Sequence, residues 1–513
     1  MPLFSQRNSS RARVSTLLLT GGCQMTFTTL DYLLFLPVVV ILYYLLPHKF
    51  RNPLLLVGSY YFYACYNLPL VLYLLLVTIV TYCIGRKIGS SESTTKKRWV
   101  VLGILLMALS LVVYKYTDFI IGIFSKESAG FDLLAPLGVS FITFSAISYL
   151  ADVHKGVIAA ERNLFHFSLF MSFFPKVVQG PIVKYKDLSD QFMQRHDWDS
   201  HNFRTGIIQV IYGLFMKMVI ADRLAVAVNT VYNSADKYSG FVLTLATALF
   251  ALQIYFDFAG YSLTAIGSAR LLGFHLADNF QQPYLSSSVG EFWRRWHISL
   301  NKWLTDYIYI PLGGSRCSHL RRDVNLLVTF GISGLWHGAN WGYLIWGLLN
   351  GAYIVIEKRI QEARTPAPKV KGKKTLPPKK RYPLLGQIIT FILVSFSWIF
   401  FRAQTLSASA TVVSRIFTRF NLSGGLRWAI EQFSAEDPSY LGLTPYSWIV
   451  LIVALLVNWV VDVAVQKHQL VDKFSQAKLP IRWIIYLVLL FSIILFGMYG
   501  YGYSAASFIY AAF

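Results

Sequence analysis

Trp483-Ile-Ile-Tyr-Leu-Val-Leu-Leu-Phe-Ser-Ile-Ile-Leu-Phe496 runs for fourteen residues without a charge. Runs of the same kind recur at Tyr32–Leu46, Val100–Val113, Ile388–Phe401 and Trp448–Val461. A bilayer core needs about 20 mostly apolar residues per helix, and several of these runs reach that length once their aromatic or polar flanks are included. Roughly eleven spans are expected along the chain. The ten-residue alternation of a membrane β-barrel is absent. The expected fold class is therefore all-α, a polytopic transmembrane helical bundle with re-entrant or interfacial helices.

Composition agrees. Of 513 residues, 55% are hydrophobic and 14% charged, with a mean hydropathy of +0.49, whereas soluble domains carry about 25% charged residues. The formal charge of +22 raises nucleic acid as a partner, but the basic residues sit in short loops between apolar runs, the positive-inside pattern. Lys358–Arg381 holds ten Lys and Arg against one Glu, and with its prolines it reads as a mobile cytosolic loop. Arg86–Arg98 reads the same way. Contact with anionic membrane lipid accounts for both, and no folded basic face suited to nucleic acid is visible. Cys23, Cys65, Cys83 and Cys317 form no CxxC pair and no zinc-type cluster, so neither a disulfide framework nor a metal site is expected. Residues 1–24 read as a disordered extension, with Met25 the alternative start, and residues 25–513 as a single transmembrane domain without an internal repeat.

The stretch from Gly260 to Arg322 is too polar to span yet dense in aromatic residues. Polar backbone at membrane depth is tolerated only where protein or a water-filled cavity covers it, so this stretch marks a candidate site. Read as one helix, Phe292, Trp293, Trp296, Leu300, Trp303 and Tyr307 share a face, and Arg294, His297 and Asn301 fall together on its flank. An interfacial helix with Trp anchors and snorkelling arginine fits the same periodicity, although it leaves the polar trio unexplained. Downstream, Gly331-Ile-Ser-Gly-Leu-Trp-His337-Gly-Ala-Asn-Trp341 interrupts an apolar span around Leu326–Ile356. Gly334, Gly338 and Gly342 make a small-residue face for a second helix. His337 lies off that face, near Ser333 and Asn340. An ionisable residue inside a span is a functional-site candidate, and His suits proton abstraction near neutral pH; a buried neutral His bonded to a carbonyl is the structural alternative. Lys176 and Gln179 lie in a Pro/Gly-broken helix that suits either a cavity wall or a plain kink. Asp257 is expected at the end of a span, where it is able to orient a catalytic group.

Seven strings carry a family resemblance: Pro136-Leu-Gly-Val-Ser-Phe, Phe174-Pro-Lys-Val-Val-Gln-Gly-Pro-Ile182, Phe256-Asp-Phe-Ala-Gly-Tyr-Ser262, Asp278-Asn-Phe, Phe292-Trp-Arg-Arg-Trp-His297-Ile-Ser-Leu, Tyr309-Ile-Pro-Leu-Gly-Gly314 and Gly334-Leu-Trp-His337-Gly-Ala-Asn-Trp341. They resemble the membrane-bound O-acyltransferase (MBOAT) family, and most of all its bacterial alginate O-acetyltransferase branch, over nearly the whole of Met25–Phe513. The resemblance implies that His337 matches the family's invariant histidine and His297 its second one. It also implies a cavity or tunnel through the bundle, no bound cofactor, a cytosolic acetyl-CoA-type donor, location in the bacterial inner membrane, and a periplasmic esterase-fold acetyltransferase as partner for modifying an exopolysaccharide such as alginate.

The expected activity is thus membrane O-acetyl transfer, with His337 and His297 catalytic and Arg294, Asn301, Asn340, Asp257, Lys176, Gln179 and Asn279 as substrate contacts. His337 takes the proton of an acceptor hydroxyl, while His297, Arg294 or Asn301 donates to the developing oxyanion. Direct and two-step transfer both remain open. Rival readings are a polysaccharide or lipid-linked sugar transporter, for which broken helices speak and a missing repeat and missing intramembrane carboxylate chain speak against, a D-alanyl transferase for teichoic acids, and a scaffold that recruits a secreted enzyme.

Overall fold

The computed structural model describes residues 25–66, 68–124, 138–178, 180–364, 383–425, 427, 440–468, 474 and 476–499. The described chain is helical, with one isolated β-bridge between Tyr440 and Leu443. It divides into two compact units. The described residues within Met1–Leu111, Leu133–Phe203 and Ser268–His275 make the first, and those within Val112–Asp132, Arg204–Gly267 and Leu276–Phe513 the second.

In the first unit, α1 (Leu30–Leu45), α2 (His48–Ala64), α3 (Leu68–Ser90) and most of α4 (Ser93–Lys115) precede α6 (Val139–Lys155), α7 (Leu164–Ser172), α8 (Phe174–Val177) and α9 (Tyr185–Met193). α5 (Thr117–Phe124) belongs to the second unit. α1 buries Tyr32, Leu36, Val39, Val40 and Tyr43, a helical stripe, and leaves Leu34, Val38, Ile41 and Leu45 outward. The Tyr32 hydroxyl donates to Ser268 Oγ at 2.7 Å. α3 meets α6 where a side chain on Gly85 would collide with Tyr149, so glycine there sets the approach. α6 ends at Gly156, whose φ of 72° is the left-handed C-terminal position that glycine occupies without strain.

The second unit continues with α10 (Ser200–Phe215), a π-helical segment (Met216–Ala221), α11 (Asp222–Tyr232), α12 (Gly240–Leu271), α13 (Val289–Arg295), α14 (Ile298–Leu304), a second π-helical segment (Thr305–Tyr309), α15 (His319–His337), α16 (Trp341–Arg364), α17 (Pro383–Arg402), α18 (Leu406–Thr418), α19 (Pro445–His468) and α20 (Leu479–Phe496). α20 turns nearly all its apolar side chains outward, Ile484, Val488, Phe491 and Leu495 among them. A surface of that kind is compatible with lipid and not with water.

Six described helices are long and apolar enough to cross a bilayer: Leu68–Ser90, Ser93–Lys115, Gly240–Leu271, Pro383–Arg402, Pro445–Ala464 and Leu479–Phe496. This is fewer than the roughly eleven expected. The shortfall has physical causes: α1 is apolar but only 16 residues long, and α15 opens on Arg321, Arg322 and Asp323. The interrupted apolar stretch over Leu326–Ile356 is divided between two helices, because the chain leaves helical geometry at Gly338 and restarts at Trp341. The basic stretch expected as a loop from Lys358 begins as helix and stays so to Arg364. Arg359 pairs there with Asp323, and Glu362 with Arg322, which fixes the last turns of α16 against the start of α15. Residues 365–381, like residues 1–24, lie outside the described residues.

Candidate functional site

The segment expected to be one helix from Phe292 to Tyr307 is broken at its polar flank. α13 stops at Arg295, and His297 takes φ 43° and ψ 53°, a left-handed conformation uncommon for a side chain other than glycine or asparagine. Two devices hold it. The Asn301 amide donates to the carbonyls of Trp293 and Trp296, at 2.5 and 2.6 Å, satisfying acceptors that α13 leaves open at its end. The Ile298 N–H donates to the Asn279 carbonyl at 3.0 Å, tying the corner to the loop after α12. Asn301 thus spends its donors on the corner. Arg294, on the other side of the break, is exposed.

The ring of His297 is buried. It stands edge-on to Phe258 of α12, with centroids 4.6 Å apart, and its Nδ1 lies 3.3 Å from Asn279 Oδ1. Across it sits Trp336, with centroids 5.9 Å apart. Trp336 precedes His337, the last residue of α15, which is also buried. The His337 ring meets Trp336 at 4.7 Å, Trp346 of α16 at 5.0 Å and Phe401 of α17 at 5.2 Å. Trp346 stacks on Trp398 at 5.3 Å, and Trp398 touches Trp296 of the broken corner at the same separation. Both histidines therefore stand in one aromatic box, with Trp336 between them. Asn350 braces the box: its amide nitrogen donates to the Trp346 carbonyl and to Ser397 Oγ, and its oxygen accepts from Trp293 Nε1.

α15 and α16 come this close because glycines face each other. A side chain on Gly334 would strike the Tyr343 carbonyl, and one on Gly347 the Phe330 carbonyl. Of the small-residue face expected at Gly334, Gly338 and Gly342, Gly334 serves this contact. Gly338 lies beyond the helix end, and Gly342 packs against the Phe400 carbonyl of α17.

The remaining candidates go elsewhere. Asn340 caps α16: its Oδ1 accepts from the Gly342 N–H at 2.8 Å and its amide donates to the Gln404 carbonyl at 2.7 Å. Asp257 lies well inside α12 rather than at its end. It pairs with Lys217 of the π-helical segment at 2.6 Å, and Lys217 also pairs with Asp222 at 2.9 Å, all three being buried. Asp257 thus faces Lys217, while the next residue, Phe258, faces His297. No intramembrane carboxylate chain is expected from the sequence, yet two carboxylates meet at this lysine, and Asp462 of α19 accepts from Asn458 at 3.0 Å. Lys176, in the first unit, is buried over the Phe170 ring at 3.7 Å and donates to Ser145 Oγ at 3.3 Å. It lines a cavity of about 10 Å³ with Phe141, Met171 and Pro181, the room of one water. Gln179 lies outside the described residues.

The structure adds two residues that sequence reasoning missed. Lys115, at the end of α4, donates to the Trp336 carbonyl at 2.5 Å and lies 5.7 Å from the Trp336 ring. The Tyr116 hydroxyl donates to the Leu335 carbonyl. Together they satisfy two terminal acceptors of α15 immediately before His337, where a helix otherwise leaves carbonyls open. The available signal was a Lys-Tyr pair closing an apolar run, which reads equally well as an interfacial anchor.

These features define a multi-pass helical membrane protein with two buried histidines in an aromatic box. The chain belongs to the MBOAT, membrane-bound O-acyltransferase family, whose model matches residues 56–402; both histidines and Lys115 fall within that range. It is 39% identical over 406 residues to a Pseudomonas aeruginosa protein described as "Probable alginate O-acetylase AlgI", covering 77% of this chain and 75% of that one. A Helicobacter pylori protein described as "Peptidoglycan O-acetyltransferase" is 33% identical over 422 residues, covering 75% of this chain and 78% of that one. A Streptococcus thermophilus "Teichoic acid D-alanyltransferase" is 28% identical over 335 residues, covering 60% and 77%. The protein is an O-acyltransferase embedded in a membrane.

Proposed function

We propose that this enzyme moves acetyl groups from a cytosolic acetyl-CoA-type donor across the bacterial inner membrane for O-acetylation of an exopolysaccharide such as alginate. A periplasmic esterase-fold acetyltransferase receives the group and passes it to the polymer. The observation that carries this reading is the similarity to proteins described as probable alginate O-acetylases over 77% of the chain, which exceeds that to the teichoic acid D-alanyltransferase in identity and in the share of this chain covered.

His337 is the general base in this reading. It takes the proton of the acceptor hydroxyl as the oxygen bonds to the acetyl carbonyl carbon. The carbon–sulfur bond of the thioester then breaks, and the thiol leaves with the proton that His337 held. Burial between Trp336, Trp346 and Phe401 supports the role, because a water-poor setting strengthens the dipoles acting on the reacting atoms. Substrate contact by Arg294, Asn301, Asn340, Asp257, Lys176, Gln179 and Asn279 remains part of the proposal only where side chains have groups to offer. Asn340 spends both ends of its amide on helix ends, Asn301 its two amide hydrogens, and Asp257 is held by Lys217.

The test is acetyl transfer by purified protein in proteoliposomes loaded with radiolabelled acetyl-CoA, with the esterase-fold partner outside. Base-labile acetyl ester on the partner or polymer is expected. Label that stays on the donor, together with transfer of D-alanine from a thioester carrier, would replace this reading with D-alanylation.

A further inference from the structure

We propose that Asn279 is a positioning residue that fixes the tautomer of His297, so that His297 meets substrate through the lone pair of Nε2, as a hydrogen-bond acceptor and not as a donor to the oxyanion. The inference rests on the acyltransferase reading above and assigns the second histidine a definite chemical form.

Three donors converge on Asn279 Oδ1: the Ser299 N–H at 3.2 Å, the Ser299 hydroxyl at 2.7 Å and His297 Nδ1 at 3.3 Å. A backbone N–H only donates, so the atom facing it is the amide oxygen and not the nitrogen. An amide oxygen only accepts, so His297 Nδ1 carries the proton. In a neutral imidazole the lone pair then belongs to Nε2. The backbone supports the same geometry. The left-handed conformation of His297, the Ile298 N–H on the Asn279 carbonyl and the Gln281 N–H on the Arg295 carbonyl stitch the loop after α12 to both sides of the corner, and Phe258 closes on the ring edge-on. An acceptor at Nε2 suits a second donor group of the incoming substrate, a neighbouring hydroxyl or an amide N–H, which it holds in place while the reacting hydroxyl keeps its single proton for His337. A neutral His297 in this tautomer has no Nε2 proton to offer an oxyanion.

Asn279→Asp keeps the acceptor oxygen and adds a charge beside the ring, and Asn279→Leu removes the acceptor. Transfer is measured against pH for both at matched membrane levels. Asn279→Leu should lose about 10–10² in kcat with KM near wild type, less than the about 10²–10⁴ that a general base itself supplies. Asn279→Asp should retain transfer but move the acid limb of the profile to higher pH, because a carboxylate stabilises the imidazolium that has lost its lone pair. The other titratable groups in the box, His337 on α15 and Lys115 on α4, are unchanged in both variants. Wild-type kcat in Asn279→Leu, or an Asn279→Asp enzyme with an unshifted profile, would overturn the inference. If Asn279→Leu does not accumulate, the Asn279→Asp profile alone decides. Absence of transfer by the wild-type protein would instead remove the acyltransferase assignment of substrate, leaving a distinct outcome.

Discussion

Lys217→Met should destabilise the protein strongly, and the structure says by how much. The ammonium stands 2.6 Å from Asp257 and 2.9 Å from Asp222, with the three side chains 5%, 2% and 4% exposed. At an effective dielectric constant of about 20, each contact is worth about 6 kcal/mol of Coulomb attraction, most of it offsetting the cost of taking the charges out of water. Removing the cation forfeits the attraction, keeps the desolvation cost and leaves two carboxylates facing each other. Breaking a buried pair in this way costs about 3–5 kcal/mol, against a total stability of about 5–15 kcal/mol for a typical domain. Replacing the whole cluster by neutral groups should not carry that cost, so Lys217→Met/Asp222→Asn/Asp257→Asn should recover most of the loss. The assay is the melting temperature and monodisperse yield of detergent-extracted protein for wild type, single and triple variants. A single variant that melts with wild type, or a triple variant no better than the single one, would refute the reasoning.

Three further outcomes follow from particular contacts. Gly334→Val should reduce assembled protein sharply, since its side chain meets the Tyr343 carbonyl and backbone retreats less readily than a side chain; a cost of about 1–3 kcal/mol or more is checked by membrane yield and melting temperature. Lys115→Met should leave the Trp336 carbonyl without this donor, costing about 1–3 kcal/mol locally, and should lower kcat about tenfold or more while the protein still inserts, as read by transfer at matched membrane levels. Glu161 lies in the loop between α6 and α7. Burial pulls its carboxyl up, but donors from Tyr185, Asn163 and Arg162 outweigh that and hold it below the usual carboxylate range. A depressed folded value stabilises above the ordinary carboxylate pKa and is lost as pH falls through the folded one. Glu161→Gln should therefore cost about 1 kcal/mol near neutral pH and nothing in acid, as measured by melting temperature against pH.

The helical membrane class was legible because apolar runs such as Trp483–Phe496 leave few alternatives. His337 and His297 were legible as an anomaly, since charge-capable residues among spans invite explanation. The break at His297 was not: spacings of three and four persist on both sides of a one-residue interruption, so periodicity reads through it. The placement of Asp257 failed for a related reason. The Phe256–Ser262 string mixes polar and apolar residues, yet α12 continues to Leu271 because Lys217 neutralises the carboxylate from a neighbouring segment. Lys115 and Tyr116 escaped because their partners lie 221 and 219 residues away, and no local pattern encodes such a contact. Asn340 and the amide hydrogens of Asn301 were chemically apt but are engaged by helix ends, which depends on where the helices stop.

The central claim is that His337 is the base for acyl transfer and that His297 orients the acceptor beside it. The direct measurement is acetyl transfer, at matched membrane levels, by His337→Gln, His297→Gln and the double variant. Gln in place of His297 keeps an acceptor oxygen and should retain measurable transfer, whereas His337→Gln has no group to take the proton and should lose about 10²–10⁴ in rate. The double variant should be no worse than His337→Gln alone, because groups acting in one step are non-additive. Near-normal transfer by His337→Gln, with protein present at wild-type levels, would contradict the account.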